Sequence, residues 1–581
     1  MEARENSFSF VVNENEMRIP FFQRAYVWRE EHWEQFFNDL KESFANKKEH
    51  FLGSVIIKRQ QGQDNFSMVI DGQQRLTTFS ILLKILYDEL EVDERDDFRS
   101  LLFKKYTKNN EPKISHSKFD KEKYIKILQD INSIDLKDKD GIFGCYNYFK
   151  TRIKDFDKND IFDFTKHIAD SKLWVVVYLN ANEDEQKIFD SINSTGEKLT
   201  ATDIIKNALF DKAIKETSEE QATNWYEKYW EATFEGKENL GFWNTEIPTG
   251  RVKRVRSEIF LHAFAIIKGL FDPEKHSLEK LSSLYKDHIR TIDEKELENL
   301  LLYIQKLANI YYSFPNINKN TVFTFDEYEE RFFHIIETLN MNSVLPLVIY
   351  LKDTLQKSEQ TYRQCLYMLE VLILCNFKTK DYNKFFARII KESKKENEDL
   401  QKFLKNEIEE SSAYLSCLQI DSVKEWLCNI TNSNAKLILF WIELYRQHKE
   451  KDYKDKIGLE YAYTLEHLMP QKWQEHWGDI GKNNEKAESL IYQIGNMTLL
   501  RSKLNTALSN LDWQTKLHGD GKARNYIGKN ADLLITRELL NKKEWDENEI
   551  KKRTEQFIKD FIEIWDITIF NHNNTKGGRN G

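Results

Sequence analysis

Cysteine and proline are both scarce in this chain of 581 residues, with five of one and seven of the other. The cysteines, Cys145, Cys365, Cys375, Cys417 and Cys428, are scattered and form no CxxC pair. An odd, dispersed set excludes a disulfide framework and predicts reduced, buried thiols in a cytoplasmic protein. So few prolines, beside 31% charged residues, predict a helix-rich soluble fold. No apolar run is long enough to span a bilayer, so no membrane partner is expected. The opening MEARENSFSF has no basic stretch followed by an apolar one, so a signal peptide is not expected. Excess basic charge is missing too. The net charge is −9, whereas a dedicated nucleic-acid binder usually shows a basic balance. That absence excludes little, because a large acidic body can carry a local basic groove. Finally, there is no GxxxxGK[ST], which excludes a P-loop NTPase.

What is present is enough for several packed cores: 40% apolar and 13% aromatic residues over a length that implies two to four domains. Residues 1–215 read as mixed α/β, with strand-like runs at Phe8–Val12, Phe51–Lys58, Phe66–Ile70 and Leu173–Leu179. Leu76, Phe79, Leu83, Leu86 and Leu90 then repeat at helical spacing. Residues 216–425 read as nearly all helix, 426–570 as a smaller mixed unit, and 571–581 as a disordered tail. The fold class is multidomain α+β, predominantly helical.

The smaller unit carries LEHLMP, Leu465 to Pro470, followed by GNMTLLRSKLN. Hydrolysis of a phosphodiester needs an activated water, a charge clamp on the phosphate and help for the leaving oxygen. A hard divalent ion takes oxygen ligands, which the Glu466 carboxylate and an asparagine carbonyl can supply. His467, with an ordinary pKa near working pH, suits a general base. Adjacent strand residues point to opposite faces, so Glu466 and His467 share a site only where the strand bulges or ends. Pro470 is consistent with an ending. The alternative for an acid–histidine pair alone is a structural or surface histidine. A zinc site from His467 and His476 is disfavoured by their spacing and the lack of nearby cysteine.

The spacing from Asn496 to Asn505 resembles the HNH (His-Me finger) nucleases, which have a ββα-metal fold. That resemblance implies that Asn496 orients the catalytic His467, that Asn505 joins Glu466 on Mg²⁺ or Mn²⁺, and that Lys516 meets phosphate. Pro470 to Ile494 is then an insertion. EWDENEIKKRTEQFI reads as a closing amphipathic helix, whose Arg553 either reaches DNA or is solvated.

Two segments stand out near the amino terminus. In VIDGQQRLTTF a strand ends at Asp71, Gly72 permits a tight turn and Gln73 opens a helix. Such a turn offers free backbone N–H groups to an anion, and Arg75 adds a phosphate-matching fork. In RIPFFQRAYVW, Gln23 and Arg24 complete a polar pocket walled by Tyr26 and Trp28, suited to a nucleotide or an extruded base. An ordinary capped helix after a turn is the alternative. RVKRVR, with Arg251, Lys253, Arg254 and Arg256, is the densest basic run and reads either as a phosphate-contacting stripe or as a solvated helix start.

The order IP-x-x-QR-x-Y-x-W, LGSVII, DGQQRLTT resembles the N-terminal domain of the GmrSD restriction family, itself similar to the ParB/sulfiredoxin-like fold. FDSINSTGEKLTATDIIKNALF continues the resemblance through Asn193, Gly196, Asp203, Lys206 and Asn207. The resemblance implies a nucleotide site made of Gln23, Arg24, Asp71, Gly72, Gln73, Gln74, Arg75, Asn193, Lys206 and Asn207. It would bind and hydrolyse a nucleoside triphosphate (GTP, UTP, CTP or ATP). It further implies a C-terminal nuclease that cuts double-stranded, modified phage DNA; a homo-oligomer is open, since the sequence is silent on oligomeric state. Two rival functions remain: a modification sensor or scaffold with a degenerate nuclease, and an RNA-cutting abortive-infection effector.

Overall fold

A computed structural model describes residues 2–59, 66–105, 107, 110–129, 138–179, 199–249, 252–376, 382–394, 399–450, 458–474, 477, 484–521 and 525–570. Asn193, Gly196, Arg251, His476 and the tail 571–581 lie outside them. The chain forms two compact units, residues 1–228 with 289–297, and residues 229–288 with 298–581. The helical middle and the C-terminal region, read from the sequence as separate domains, therefore fall in one unit. The physical reason is a shared core. Trp565 donates to the buried Glu370 carboxylate at 3.2 Å, and Tyr367 Oη donates to the Ile564 carbonyl at 3.1 Å.

The first unit is built on a six-stranded mixed sheet. In chain order its elements include β1 (Glu2–Asn6), β2 (Met17–Arg18), α1 (Glu30–Asn46), β3 (Gly53–Arg59) and β4 (Ser67–Asp71). There follow α2 (Gln73–Glu89), β5 (Ile114–Ser115), α3 (Gly141–Ile153), β6 (Trp174–Leu179) and α4 (Ala201–Glu216). The strand order is β1-β6-β3-β4-β2-β5. The β3–β6 pair is parallel, and the β3–β4 pair is antiparallel with a register shift between Ile56 and Ile57. Three of the four expected strands are present. The fourth, Phe8–Val12, is instead a 3₁₀ turn, Phe8–Asn13. Adjacent Phe10 and Val11 are both buried, which a period-two strand cannot arrange and a tight turn can. Helix α2 is buried along nearly all its length from Leu76 to Leu86, and its Phe79 packs on Phe8 at 4.3 Å and on Trp174 at 5.4 Å.

The second unit is mostly helical, but the region expected to be all helix also holds a hairpin, β7 (Glu246–Thr249) and β8 (Val252–Val255). Then come α5 (Arg256–Lys268), α6 (Glu294–Tyr312, of which the residues from Glu298 belong to this unit), β9 (Val322–Phe323), α7 (Tyr328–Thr338), α8 (Glu359–Asn376) and α9 (Asn432–Lys449). The pair β9 and β10 (Leu459–Glu460) leads into β11 (Thr464–His467). β11 pairs antiparallel with β12 (Met497–Leu500), from Thr464 opposite Leu500 to His467 opposite Met497. Short helices α10 (Ser502–Leu508), α11 (Trp513–His518) and α12 (Leu534–Arg537) precede the closing α13 (Glu547–Ile564). Of the five cysteines, expected to be buried, Cys145 and Cys365 are, whereas Cys375, Cys417 and Cys428 are partly exposed. No helix among the described residues is long and apolar enough to cross a membrane.

His334, on α7, is buried with neither ring nitrogen hydrogen-bonded, 4.3 Å from the Phe323 ring and 4.4 Å from that of Tyr461. Burial, with Lys436 adding to it, lowers its pKa to about 3. The folded value lies below the unfolded one, so this contribution to stability is complete above pH 6.5 and is lost as the pH falls toward 3. Between pH 7 and pH 5 the loss is about 2 kcal/mol for this side chain. His334→Phe, stacked on Phe323 in place of the imidazole, should lose less stability than wild type between those two pH values in urea titrations. An equal acid loss in both proteins would show that His334 does not titrate as a buried neutral group.

Candidate functional sites

The first site is a cavity of about 450 Å³ in the first unit. It forms where β4 ends and α2 begins. Gly72 caps α2 with φ +90°, and no side chain caps the helix or places an acid in its first turn. A Cβ on Gly72 would come within 2.9 Å of the Ser54 carbonyl, so the turn requires glycine twice over. The first-turn N–H groups and the positive end of a 17-residue helix thus face the cavity, with Asp71 just before the cap as the nearest acid in sequence. Arg75 lies across β3, donating from Nη1 to the Ser54 carbonyl at 2.6 Å. It rests on Gly53, where a Cβ would meet its guanidinium at 2.8 Å. Arg24, Asp71, Gln73 and Asn207 also line the cavity, and Asn207 Oδ1 is buried without a hydrogen-bond partner.

Two of the expected pocket residues line the cavity and also fix its shape. Gln74 Oε1 accepts from Val27 N at 2.9 Å and its Nε2 donates to the Ala25 carbonyl, which holds the QRAYVW loop against α2. Gln23 Nε2 donates to the carbonyls of Val69 and Ile70, at 3.4 and 3.5 Å. Two expectations are corrected. Tyr26 is core rather than wall, its hydroxyl bound by Thr78 and by Trp33 Nε1. Lys206 is buried, because Asp203 and Asn207, one turn apart, face the cavity and put Lys206 on the inner side of α4. Sequence reading missed Gly53 and one face of α1. Trp28 stacks on His32 at 5.6 Å, and Gln35 and Asp39 follow His32 at helical spacing, with Asp39 3.6 Å from His50. The spacing of Trp33, Phe36, Phe37 and Leu40 marks the buried face of that helix and so exposes the other.

The second site lies at the end of β11. Asn496 is fully buried beneath it. Its Oδ1 accepts from Met469 N at 2.9 Å and from Trp545 Nε1 at 3.1 Å, and its Nδ2 donates to the carbonyls of Met469 and Ile491. It therefore holds the backbone just after His467 and does not touch the imidazole. His467 Nε2 is buried without a partner, and its pKa is lowered to about 4, by burial first and the charge of Lys516 second. On α10, Asn505 Nδ2 donates to Thr464 Oγ1 at 3.0 Å and to the Leu465 carbonyl at 2.8 Å, leaving Oδ1 as its acceptor.

Lys516 requires a correction. Its side chain is fully buried, donating to Glu466 Oε1 at 2.7 Å and to the His467 carbonyl at 3.0 Å, so it offers no charge to a phosphate. Burial pushes the Glu466 carboxyl up and the Lys516 ammonium down, and each charge opposes the other's shift. Arg553 is neither solvated nor free for DNA. It is buried, donating to the carbonyls of Gly495, Met497 and Ile535 and to Glu538. The described residues hold no cluster of three His, Cys, Asp or Glu side chains fit for a metal. A hard ion at this strand end would have one Glu466 oxygen and the Asn505 carbonyl, with water filling the rest. That donor set suits Mg²⁺ or Mn²⁺ rather than zinc.

The basic run is strand before it is helix. Lys253 is exposed and 3.9 Å from Glu246, Arg254 is paired with Glu258, and Arg256 opens α5. A continuous phosphate-binding stripe is not formed by these three.

An N-terminal α/β unit with a glycine-led turn into α2, and a C-terminal strand–strand–helix whose first strand ends in an acid–histidine pair, define a two-part chain. Models of the GmrSD restriction endonuclease N-terminal and C-terminal domains match residues 8–210 and 420–560. The chain belongs to the GmrSD restriction endonuclease family. The uncharacterized protein MJ0686 of Methanocaldococcus jannaschii is 23% identical over 309 residues, 47% of this chain and 50% of that relative. The chain thus spans about half the length of the curated relative it matches.

Removing Lys516 isolates a buried carboxylate. Lys516→Met should cost about 3–5 kcal/mol in urea unfolding, and the double change with Glu466→Leu should recover much of it. A single variant as stable as wild type would contradict the buried pair.

Proposed function

We propose that this chain is a nucleotide-regulated, divalent-metal-dependent endonuclease that restricts modified foreign DNA. The observation that carries the nuclease half is His467. Its Nε2 is buried, unpartnered and neutral above pH about 4, next to Glu466 at a strand end whose backbone Asn496 fixes. A neutral imidazole accepts a proton from water as that water's oxygen bonds to phosphorus and the P–O bond to the leaving strand breaks. Glu466 and Asn505 would hold Mg²⁺ or Mn²⁺, which when bound offsets charge on the phosphate and the leaving oxygen. In the N-terminal cavity the α2 N-terminus and Arg75 receive the phosphates of a nucleoside triphosphate, and Trp28 offers a flat wall for its base. GTP, UTP, CTP and ATP all fit that description, and the phosphates are what the cradle binds.

A second reading, a DNA-modification sensor with an inactive nuclease, draws on one observation: Lys516 already neutralises Glu466. The two readings part on whether the wild-type chain cuts DNA in Mg²⁺ or Mn²⁺, and two variants then assign the sites. His467→Ala should abolish cleavage of plasmid or phage DNA while nucleotide hydrolysis persists. Arg75→Ala should lower nucleotide turnover at least tenfold, on the order expected for loss of a bidentate phosphate contact. Cutting by His467→Ala at the wild-type rate would remove the histidine from the chemistry. Wild-type turnover by Arg75→Ala would move the nucleotide site elsewhere. An RNA substrate of matched sequence, run in parallel, separates DNA cutting from RNA cutting, since both present the same phosphodiester.

A further inference from the structure

The second unit holds a cavity of about 330 Å³ that neither site above uses. Phe242, Tyr311, Phe314 and Phe333 wall it, and Arg256 and Glu337 are its charged groups. The guanidinium carbon of Arg256 lies 4.0 Å from the Phe242 ring centroid, and its Nη2 donates weakly to Asn316 Oδ1 at 3.4 Å. Its neighbours in the basic run differ from it. Arg254 is neutralised by Glu258, and Lys253 faces Glu246. Arg256 has no carboxylate within ion-pair distance, and Glu337 has no cation within it, among the described residues. Glu337 stands at the rim; dehydration by the apolar wall pushes its carboxyl upward and Arg256 opposes that.

A fork that has Asn316 and Tyr311 but no carboxylate on it, and a carboxyl with no cation on it, limit the ligand of this aromatic-walled cavity. A phosphate would be repelled by Glu337 and a metal ion by Arg256, and a plain alkyl chain would leave the Glu337 carboxyl without a partner and the fork's charge unmatched. A flat heteroaromatic ring fits the walls, and a guanidinium stacked on an aromatic ring is pre-oriented to donate from its edge. A ring or carbonyl acceptor beside an exocyclic amino group matches the fork and the carboxyl together, which is the edge of an amino-bearing base. Extrusion from the duplex is what brings that edge within reach of a concave site. The exposed Lys253 on the adjoining strand can meet the sugar–phosphate backbone, which positions without reading sequence.

We propose that this cavity receives a single nucleobase turned out of DNA, an amino-bearing base held by Arg256 and Glu337. The proposal rests on DNA being the substrate. Its test uses the full chain in EDTA, so that cutting does not interfere. Duplexes carry 2-aminopurine at successive positions, and the anisotropy of an end label is followed in the same titration. Wild type should bind and raise the 2-aminopurine fluorescence several-fold at one or more positions. Arg256→Ala should remove most of that rise, Arg256→Lys should restore part of it, and Glu337→Gln should weaken it, all while end-label binding persists. Glu337→Gln alters a rim residue and decides the test if Arg256→Ala fails to fold. Binding without a fluorescence change, or a rise unaltered in both variants, overturns the proposal. Flat anisotropy for wild type overturns the DNA reading itself, and the cavity's assignment with it.

Discussion

The position of the histidine depends on a backbone-close approach more than 25 residues away from it in sequence. At Gly495 the chain runs so near α13 that a Cβ would collide with the Ile550 carbonyl and with Thr554. Glycine lets Thr554 Oγ1 accept from Gly495 N, and lets Arg553 reach the carbonyls on either side of Asn496. Asn496, held there and bound by Trp545, grips Met469 through both N–H and C=O, while its own carbonyl accepts from Leu468 N at 2.8 Å. His467 is therefore fixed from behind. Since a buried guanidinium with its partners removed costs several kcal/mol, Arg553 and Glu538 are as much part of this arrangement as the strand is.

Charge organises the same region. Glu466 and His467 are neighbours at the end of β11, and of their two side chains only that of Glu466 meets Lys516. Lys516 also holds the His467 carbonyl, so one ammonium orients the Glu466 carboxylate and the backbone at His467. Its field and the burial together keep the imidazole neutral. The N-terminal cavity is arranged differently. No acid sits in the first turn of α2, and Arg24 and Arg75 line the cavity beside it together with Asp39, Asp71 and Asp203.

Much of this was legible in the residues. DGQQR marked the strand–turn–helix because glycine at a left-handed turn is a local requirement, and Asn505 lies on the helix that follows β12, where its spacing from Asn496 put it. Burial was not legible. Lys516, Arg553, Lys206 and Tyr26 read as groups that reach ligands or line a pocket, because local sequence does not say which partner a long polar side chain finds. Glu466, Glu538, Asp203 and Thr78 are 50, 15, 3 and 52 positions away from them respectively. The face of α1 that meets the cavity could have been found from helical periodicity. The shared core of the middle and C-terminal regions could not, since it rests on contacts such as Trp565 with Glu370.

The central claim is that a phosphate cradle at one end of the chain conditions a histidine-based nuclease at the other. The most direct measurement is cleavage of matched modified and unmodified phage DNA by the wild-type chain. It is run with Mg²⁺, with Mn²⁺ and in EDTA, each with and without a nucleoside triphosphate. The account predicts cutting that requires the divalent ion, favours modified DNA and changes rate when triphosphate is added. Cutting that persists in EDTA, or that is indifferent to both modification and nucleotide, would contradict it.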